Sequence, residues 1–289
     1  MDTDRTVPPR ELRLFGLVDA ASAPDKIYPL LQKSGAGFRS VYAGLPEDEV
    51  GEASLFLVPV DDISADWVVA LDKIDLQSPC LSFMLSRADT GSLARHLQAF
   101  LFADIGDNMT AMIRFFDPRN THAVLGVWDA PTRRMFAGPI SRWMCRGRDE
   151  GWRDVWDDSS GGACIREPVP IHLNQPAIDA LMAHTEPDEL LATLIDIGVV
   201  DGSVPYAKRF ADFSPRYQRA QQWGLTEAAD RLVFCSHSYR YGREFDDDSR
   251  VRNALMNHKG TALAVTFAQI PSSVWEGIEF MQQLRAAQI

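Results

Sequence analysis

Apolar residues in the first half of the chain fall into short runs separated by amphipathic stretches. Leu12–Val18 is a β-like run, and Ser54–Val60 is almost wholly apolar, as a buried strand would be. Phe38–Tyr42, Cys80–Leu85, Met109–Phe116 and Trp152–Trp156 read as further strands, the Met109 run being halted by Asp117-Pro118. Between them, Pro24 opens a helix with Ile27, Leu30 and Leu31 on one face, closed by Gly35. Asp66–Ile74 reads as helical. Asp89 and Thr90 offer caps for a helix whose apolar face is Leu93, Leu97, Phe100 and Leu101. Strands separated by helices predict an α/β lobe around a central sheet over residues 1–156.

A polar, glycine-rich break follows at Asp157-Asp158-Ser159-Ser160-Gly161-Gly162, with Pro168 and Pro170 soon after. It predicts a linker over residues 157–171. Beyond it the pattern is helical. Asn174 and Thr185 are N-cap residue types, and Leu190, Leu194 and Ile197 share a face behind Asp188 and Glu189. Ser214-Pro215 predicts a helix start and Gly224 its stop. Thr226 begins the next, carrying Leu232, Val233 and Tyr239 toward Gly242, and Ser249 begins a short one with Val251 and Leu255. Ser273-Val274-Trp275-Glu276 is a capping box for a last helix bearing Ile278, Met281 and Leu284. The expected fold class is therefore mixed α and β: an α/β lobe with a central sheet, then an all-helical lobe over residues 172–289.

Composition narrows the function classes. A chain of 289 residues with 46% hydrophobic positions can bury a real core and is not disordered. A formal net charge of −11 argues against phosphate-based nucleic-acid binding and favours basic partners. The opening residues lack an apolar leader core, and no window approaches the length of a membrane span. A cytoplasmic protein without membrane insertion is expected. Cys80, Cys145, Cys164 and Cys235 lie far apart, as reduced thiols would. Charge is unevenly spread: residues 47–75 hold nine acids against Lys73, and residues 133–153 hold six arginines against Asp149 and Glu150. That distribution suits a solvated surface as well as a docking surface.

Candidate chemistry is sparse. Gly35-Ala36-Gly37 begins like a dinucleotide fingerprint, but it follows a helix and precedes a strand, which is the wrong context. Cys164 and His172 are a conceivable thiol–imidazole pair, although the cysteine sits in the expected linker. Cys235 and His237 are two apart on a predicted helix and so point to different faces. Asp246-Asp247-Asp248 resembles the opening of a calcium loop, but Val251 stands where glycine is needed and Asn257 where glutamate is needed. No catalytic residue, cofactor site or metal site is expected.

Several ordered segments carry a family resemblance. These are Phe38-Arg39-Ser40-Val41-Tyr42-Ala43-Gly44, Leu93-Ala94-Arg95-His96-Leu97 with Phe100, Ile113-Arg114-Phe115-Phe116-Asp117-Pro118-Arg119, and Phe136-Gly138-Pro139-Ile140 with Trp143. Over roughly residues 12–145 the chain resembles the domain-of-unknown-function 4123 family, adaptor-chaperones of the bacterial type VI secretion system. The second half resembles that family's variable helical lobe through Tyr217 with Trp223-Gly224-Leu225-Thr226, Tyr241-Gly242-Arg243-Glu244-Phe245-Asp246 and Ile270-Pro271 with Trp275. The resemblance implies a protein, monomeric when free, that binds a cognate toxin effector and helps load it onto the valine-glycine repeat spike protein. The alternatives are a cysteine hydrolase using Cys164 and an immunity-like toxin-binding protein.

Within the motif, Tyr42 and Trp143 read as core. Arg114, Asp117 and Arg119 read as an ion-pair and turn-capping cluster around Pro118, since flanking arginines offset the cost of a buried carboxylate. For effector binding, the candidates are Trp223, Tyr239, Arg240, Tyr241, Arg243 and Phe245. Aromatics beside arginines near two helix ends are the residue types that dominate interfaces.

Overall fold

The computed structural model describes residues 11–157, 162–258 and 260–286. Residues 158–161 of the expected linker, and residues 1–10, lie outside the described residues. The chain divides into two compact units, Met1–His184 and Thr185–Ile289.

The first unit is built on a six-stranded sheet. Its strands are β1 (Arg13–Asp19), β2 (Arg39–Ser40), β3 (Leu55–Val60), β4 (Leu81–Ser86), β7 (Ile140–Arg146) and β8 (Trp152–Asp157). Their order is β2-β3-β1-β4-β7-β8, with every neighbouring pair antiparallel. A small second sheet joins β5 (Phe102–Asp104) to β6 (Thr110–Met112) antiparallel and to β9 (Ile171–His172) parallel. The helices are α1 (Pro24–Ser34), α2 (Asp66–Gln77), α3 (Thr90–Gln98), α4 (Thr121–Val127), α5 (Ala130–Ala137) and the start of α6 (Gln175–Asp196).

Strand alternation explains why β3 is apolar throughout. Phe15, Leu17, Leu55, Leu57, Met84 and Trp143 share one core with Leu93 and Leu97 of α3. Val18, Phe56, Val58, Leu81 and Phe83 share the other with Ile27 and Leu31 of α1 and Val68 and Leu71 of α2. Both faces of the sheet are thus covered, so its strands lose the polar alternation of a one-sided sheet. Gly35 ends α1 at φ 69°, in the left-handed region, so it is a helix stop rather than the start of a dinucleotide fingerprint.

Several boundaries differ from expectation. The Phe38–Tyr42 run pairs only at Arg39–Ser40, because the chain turns from Val41 onward into a 3₁₀ segment over Pro46–Ala53. The Met109–Phe116 run is a strand only at Thr110–Met112; the Phe115 N–H closes back onto the Ile113 carbonyl at 2.9 Å, ending the extension. β5, β7, α4 and α5 were not read from the sequence. Ile171–His172, placed at the junction of the expected linker and helical lobe, is a strand of the first unit's small sheet. Leu173, Ala177, Ile178 and Leu181 then pack into that unit's core.

The second unit is helical: the rest of α6, then α7 (Tyr206–Gln222), α8 (Ala228–Tyr241), α9 (Ser249–Met256), α10 (Leu263–Ala268) and α11 (Ser272–Ala286). The Asn174 side chain accepts the Ala177 N–H at 3.0 Å, as an N-cap does. Thr185 and Ser214, however, lie inside α6 and α7, whose prolines Pro187 and Pro215 are internal. The apolar spacing of α7 explains this. Tyr206, Phe210, Phe213, Tyr217 and Ala220 all pack inward, and that burial outweighs the roughly 3 kcal/mol an internal proline costs. Asp248 rather than Ser249 caps α9, accepting the Arg250 N–H at 2.9 Å. α11 begins at Ser272, one residue ahead of the expected box.

Candidate protein-binding site of the helical unit

Gly224 and Gly242, both at positive φ, end α7 and α8, and the chain leaving α8 runs through Arg243–Asp248 before α9. That segment, together with Arg216 and one side of α11, lines a cleft of about 760 Å³. Tyr241, Phe245, Ile278 and Met281 supply apolar lining, and Arg243, Glu244, Asp247, Asp248, Arg250 and Arg285 supply charge. The charges are mutually engaged. Arg285 meets Glu244 at 2.7 Å, Arg250 meets Asp248 at 3.0 Å, and Arg243 pairs with Asp212. Exposed pairs of this kind contribute about 0–1 kcal/mol, so a partner's charges can replace one member at little cost. Beside the cleft, Phe280, Met281 and Leu284 of α11 are 60%, 53% and 43% exposed. Their spacing sets them along one side of the helix.

The six candidate residues divide by burial. Tyr241 and Phe245 are buried, and Tyr241 stacks on Trp275 at 4.8 Å. Trp223 is half-buried, and its indole N–H donates to Asp246 Oδ2 at 2.6 Å. Tyr239 lies under the Arg216 guanidinium at 4.1 Å, and burial pushes its hydroxyl ionisation upward. Arg240 and Arg243 are exposed, Arg240 lying over the Tyr241 ring at 5.1 Å. Tyr241, Arg243 and Phe245 line the cleft; Trp223, Tyr239 and Arg240 do not. The sequence reading put Ile278, Met281 and Leu284 on the last helix without assigning them to a binding surface, and it missed Phe280. The available signal was the width of the apolar arc: Val274, Trp275, Ile278, Phe280, Met281 and Leu284 occupy more of α11 than one packed face can cover.

The aspartate triplet is occupied by arginines. Asp246, fully buried, accepts from Arg219 Nε at 2.7 Å as well as from Trp223. Asp247 pairs with Arg219 at 2.9 Å, and Asp248 pairs with Arg250. Cys235 is buried, while His237 packs 4.7 Å from Phe267 and directs Nδ1 to the Val233 carbonyl at 2.8 Å, so the two point apart. In the first unit, His172 directs Nδ1 to Asp104 at 3.1 Å.

The first unit's motif residues form a separate assembly. Asp117 is 2% exposed and receives both Arg119 Nε at 2.9 Å and Arg119 Nη2 at 2.7 Å, with the Arg119 N–H at 3.0 Å. Arg114 bridges to Asp19 at the end of β1 at 2.8 Å. The Pro118 carbonyl lies 3.8 Å from Cys145 Sγ. Tyr42 is buried with its hydroxyl toward Met112 Sδ at 3.7 Å, and Trp143 is fully buried against Phe115 and Phe136. Two buried groups in this unit were given no role by the sequence reading. Asp75 Oδ1 accepts the Cys80 and Leu81 N–H groups at 2.8 and 2.9 Å, and its Oδ2 accepts Arg146 Nε at 2.8 Å. His96 donates from Nε2 to the Phe136 carbonyl at 2.7 Å and accepts the Ile165 N–H on Nδ1 at 3.0 Å. Burial pulls its pKa from 6.5 to about 4, so it is neutral at pH 7. Arg146 also pairs with Asp72, so the acidic 47–75 segment and the arginine-rich 133–153 segment meet here.

The family comparison falls on this first unit: residues 14–135 match the family described as Domain of unknown function (DUF4123). The chain carries a DUF4123 domain. The match covers less than half of the chain and ends within α5. β7 and β8, two of the six strands in the main sheet, therefore lie beyond the matched DUF4123 residues, as does Trp143. No curated protein and no solved structure matches the chain. Among the described residues, no helix is long and apolar enough to cross a membrane.

Proposed function

We propose that the chain is a cytoplasmic type VI secretion adaptor that binds a cognate toxin effector and helps load it onto the valine-glycine repeat spike protein, without catalysing a reaction. The observation that carries this reading is the DUF4123 match over residues 14–135. The helical unit supports it with a cleft of apolar floor and exchangeable charged rim, bordered by exposed Phe280, Met281 and Leu284. Such a surface suits protein recognition, because apolar anchors supply affinity and the paired charges select orientation. The effector is assigned to this face, and the free protein is assigned as a monomer.

The test is co-purification of the full chain with the toxin encoded beside it, in wild type and in a Phe280→Ser, Met281→Ser, Leu284→Ser triple variant. The wild type retains the toxin, and the variant loses it while melting at the same temperature. Failure of the wild type to retain the toxin, with toxin delivery unchanged when the chain is deleted from the producing cell, overturns the adaptor reading. Protection of the target cell by the chain would make it an immunity protein instead.

A further inference from the structure

A second cavity, of about 280 Å³, lies within the first unit, and nothing in the adaptor reading uses it. Its lining combines Leu45, Phe102 and Val169 with Arg95, from α3, and Arg166, from the segment before β9. Neither arginine forms an ion pair among the described residues. Arg95 spends only its Nε, on the Gly91 carbonyl at 3.3 Å, which leaves both terminal amino groups uncommitted there. The carboxylate in the wall, Asp104, is already engaged: Oδ1 accepts the Gly106 N–H at 2.8 Å, and Oδ2 faces His172 Nδ1 at 3.1 Å. The lining therefore combines apolar residues with two arginines that have no carboxylate of their own among the described residues.

Guanidinium groups pair with carboxylates through two parallel N–H bonds, and such charge-assisted bonds strengthen where apolar walls exclude water. The volume lies just below the usual range of small-ligand pockets, too small for a packed helix but enough for one side chain with its carboxylate. We infer that this cavity binds an apolar carboxylate, its apolar group against Phe102, Leu45 and Val169 and its carboxylate between Arg95 and Arg166. That chemistry occurs both in a free apolar acid and in the C-terminal residue of a protein chain.

The site is tested on the full chain by ligand-observed NMR titration with three probes. They are N-acetyl-Gly-Gly-Phe with a free carboxylate, the same peptide as its C-terminal amide, and 3-phenylpropanoate. The free peptide acid binds, and the amide binds at least about tenfold more weakly, because it cannot accept both arginines as a charged group. Peptide acid tighter than 3-phenylpropanoate identifies a chain terminus as the ligand; equal or weaker peptide binding identifies a free acid. Arg95→Gln and Arg166→Gln each weaken the acid at least about tenfold, whereas Arg95→Lys, which keeps the charge but loses the fork, falls between. Unchanged melting temperatures show that these exposed substitutions leave the fold intact. Equal binding of acid and amide, absence of binding by both acids, or binding indifferent to both glutamine variants overturns the assignment.

Discussion

The sheet unit and the helical unit differ at one buried aspartate, Asp246. In the sheet unit, Asp75 and Asp117 have donors on both carboxylate oxygens: backbone N–H groups and Arg146 for Asp75, and Arg119 with its own N–H for Asp117. In the helical unit, buried Asp230 is likewise met on both oxygens, by the Leu263 N–H at 2.8 Å and His258 at 3.0 Å, but at Asp246 Arg219 and Trp223 both crowd Oδ2 while Oδ1 has no partner among the described residues. A saturated carboxylate ties several elements into one arrangement, whereas a half-satisfied one leaves desolvation uncompensated. The same contrast recurs at the surface. The sheet unit covers its central sheet on both faces, and the helical unit leaves three neighbouring apolar side chains of α11 in solvent beside a cleft. The first unit is organised as a scaffold, and the second keeps unsatisfied surface available.

Removing a saturated carboxylate is the strongest way to break this contrast. Asp117→Ala strands Arg119 and the turn into α4, and should cost about 3–5 kcal/mol, lowering the melting temperature by roughly 10 °C. An unchanged melting temperature would show that the cluster is not part of the scaffold.

Next is the buried histidine. The pKa of His96 is about 4 in the folded chain and near 6.5 when unfolded. Between those values the unfolded state binds the extra proton, so this contribution is fully present above about pH 6.5 and is lost as pH falls toward 4, amounting to about 3 kcal/mol. Denaturant unfolding across that range should show the loss, and His96→Gln should flatten it.

In the helical unit, Trp223→Phe removes one of the two donors to Asp246 and should cost about 1–2 kcal/mol, read as a shift in denaturant midpoint. A variant of native stability that no longer captures its partner would instead make Trp223 a contact. The smallest stability effect belongs to the Phe280, Met281 and Leu284 serine variant, within about 0.5 kcal/mol of wild type. A larger loss would mean that this stripe is part of the unit's own core and would erase the contrast.

Local signals in the sequence were most reliable where one residue type decides the geometry. Gly35, Gly224 and Gly242 end helices because they reach positive φ without a Cβ clash, and Asp89 caps α3 by accepting the Ser92 N–H at 2.8 Å. Ser214-Pro215 misled because a local start signal yielded to the longer apolar face of α7. β7 escaped notice because its sequence, ISRWMCR, mixes arginines into a strand; Arg142 and Arg146 are held there by Asp154, Asp72 and Asp75, partners remote in sequence. The cleft was half legible. Tyr241, Arg243 and Phe245 stood out as an aromatic and arginine cluster, but which of them reach solvent depends on packing against Trp275 and α11.

By itself, then, the sequence determined many of the elements, though not β5, β7, α4 or α5, together with the shift from sheet to helices and the resemblance confirmed over residues 14–135, because periodicity, capping and ordered motifs are local properties. Tertiary structure decided the sheet order, the strand formed by Ile171–His172, and the meeting of Arg95 with Arg166 in one cavity. It also decided which carboxylates are saturated. Each of these depends on groups far apart along the chain, whose encounter is set by burial of the two sheet faces and the helical core rather than by any local preference.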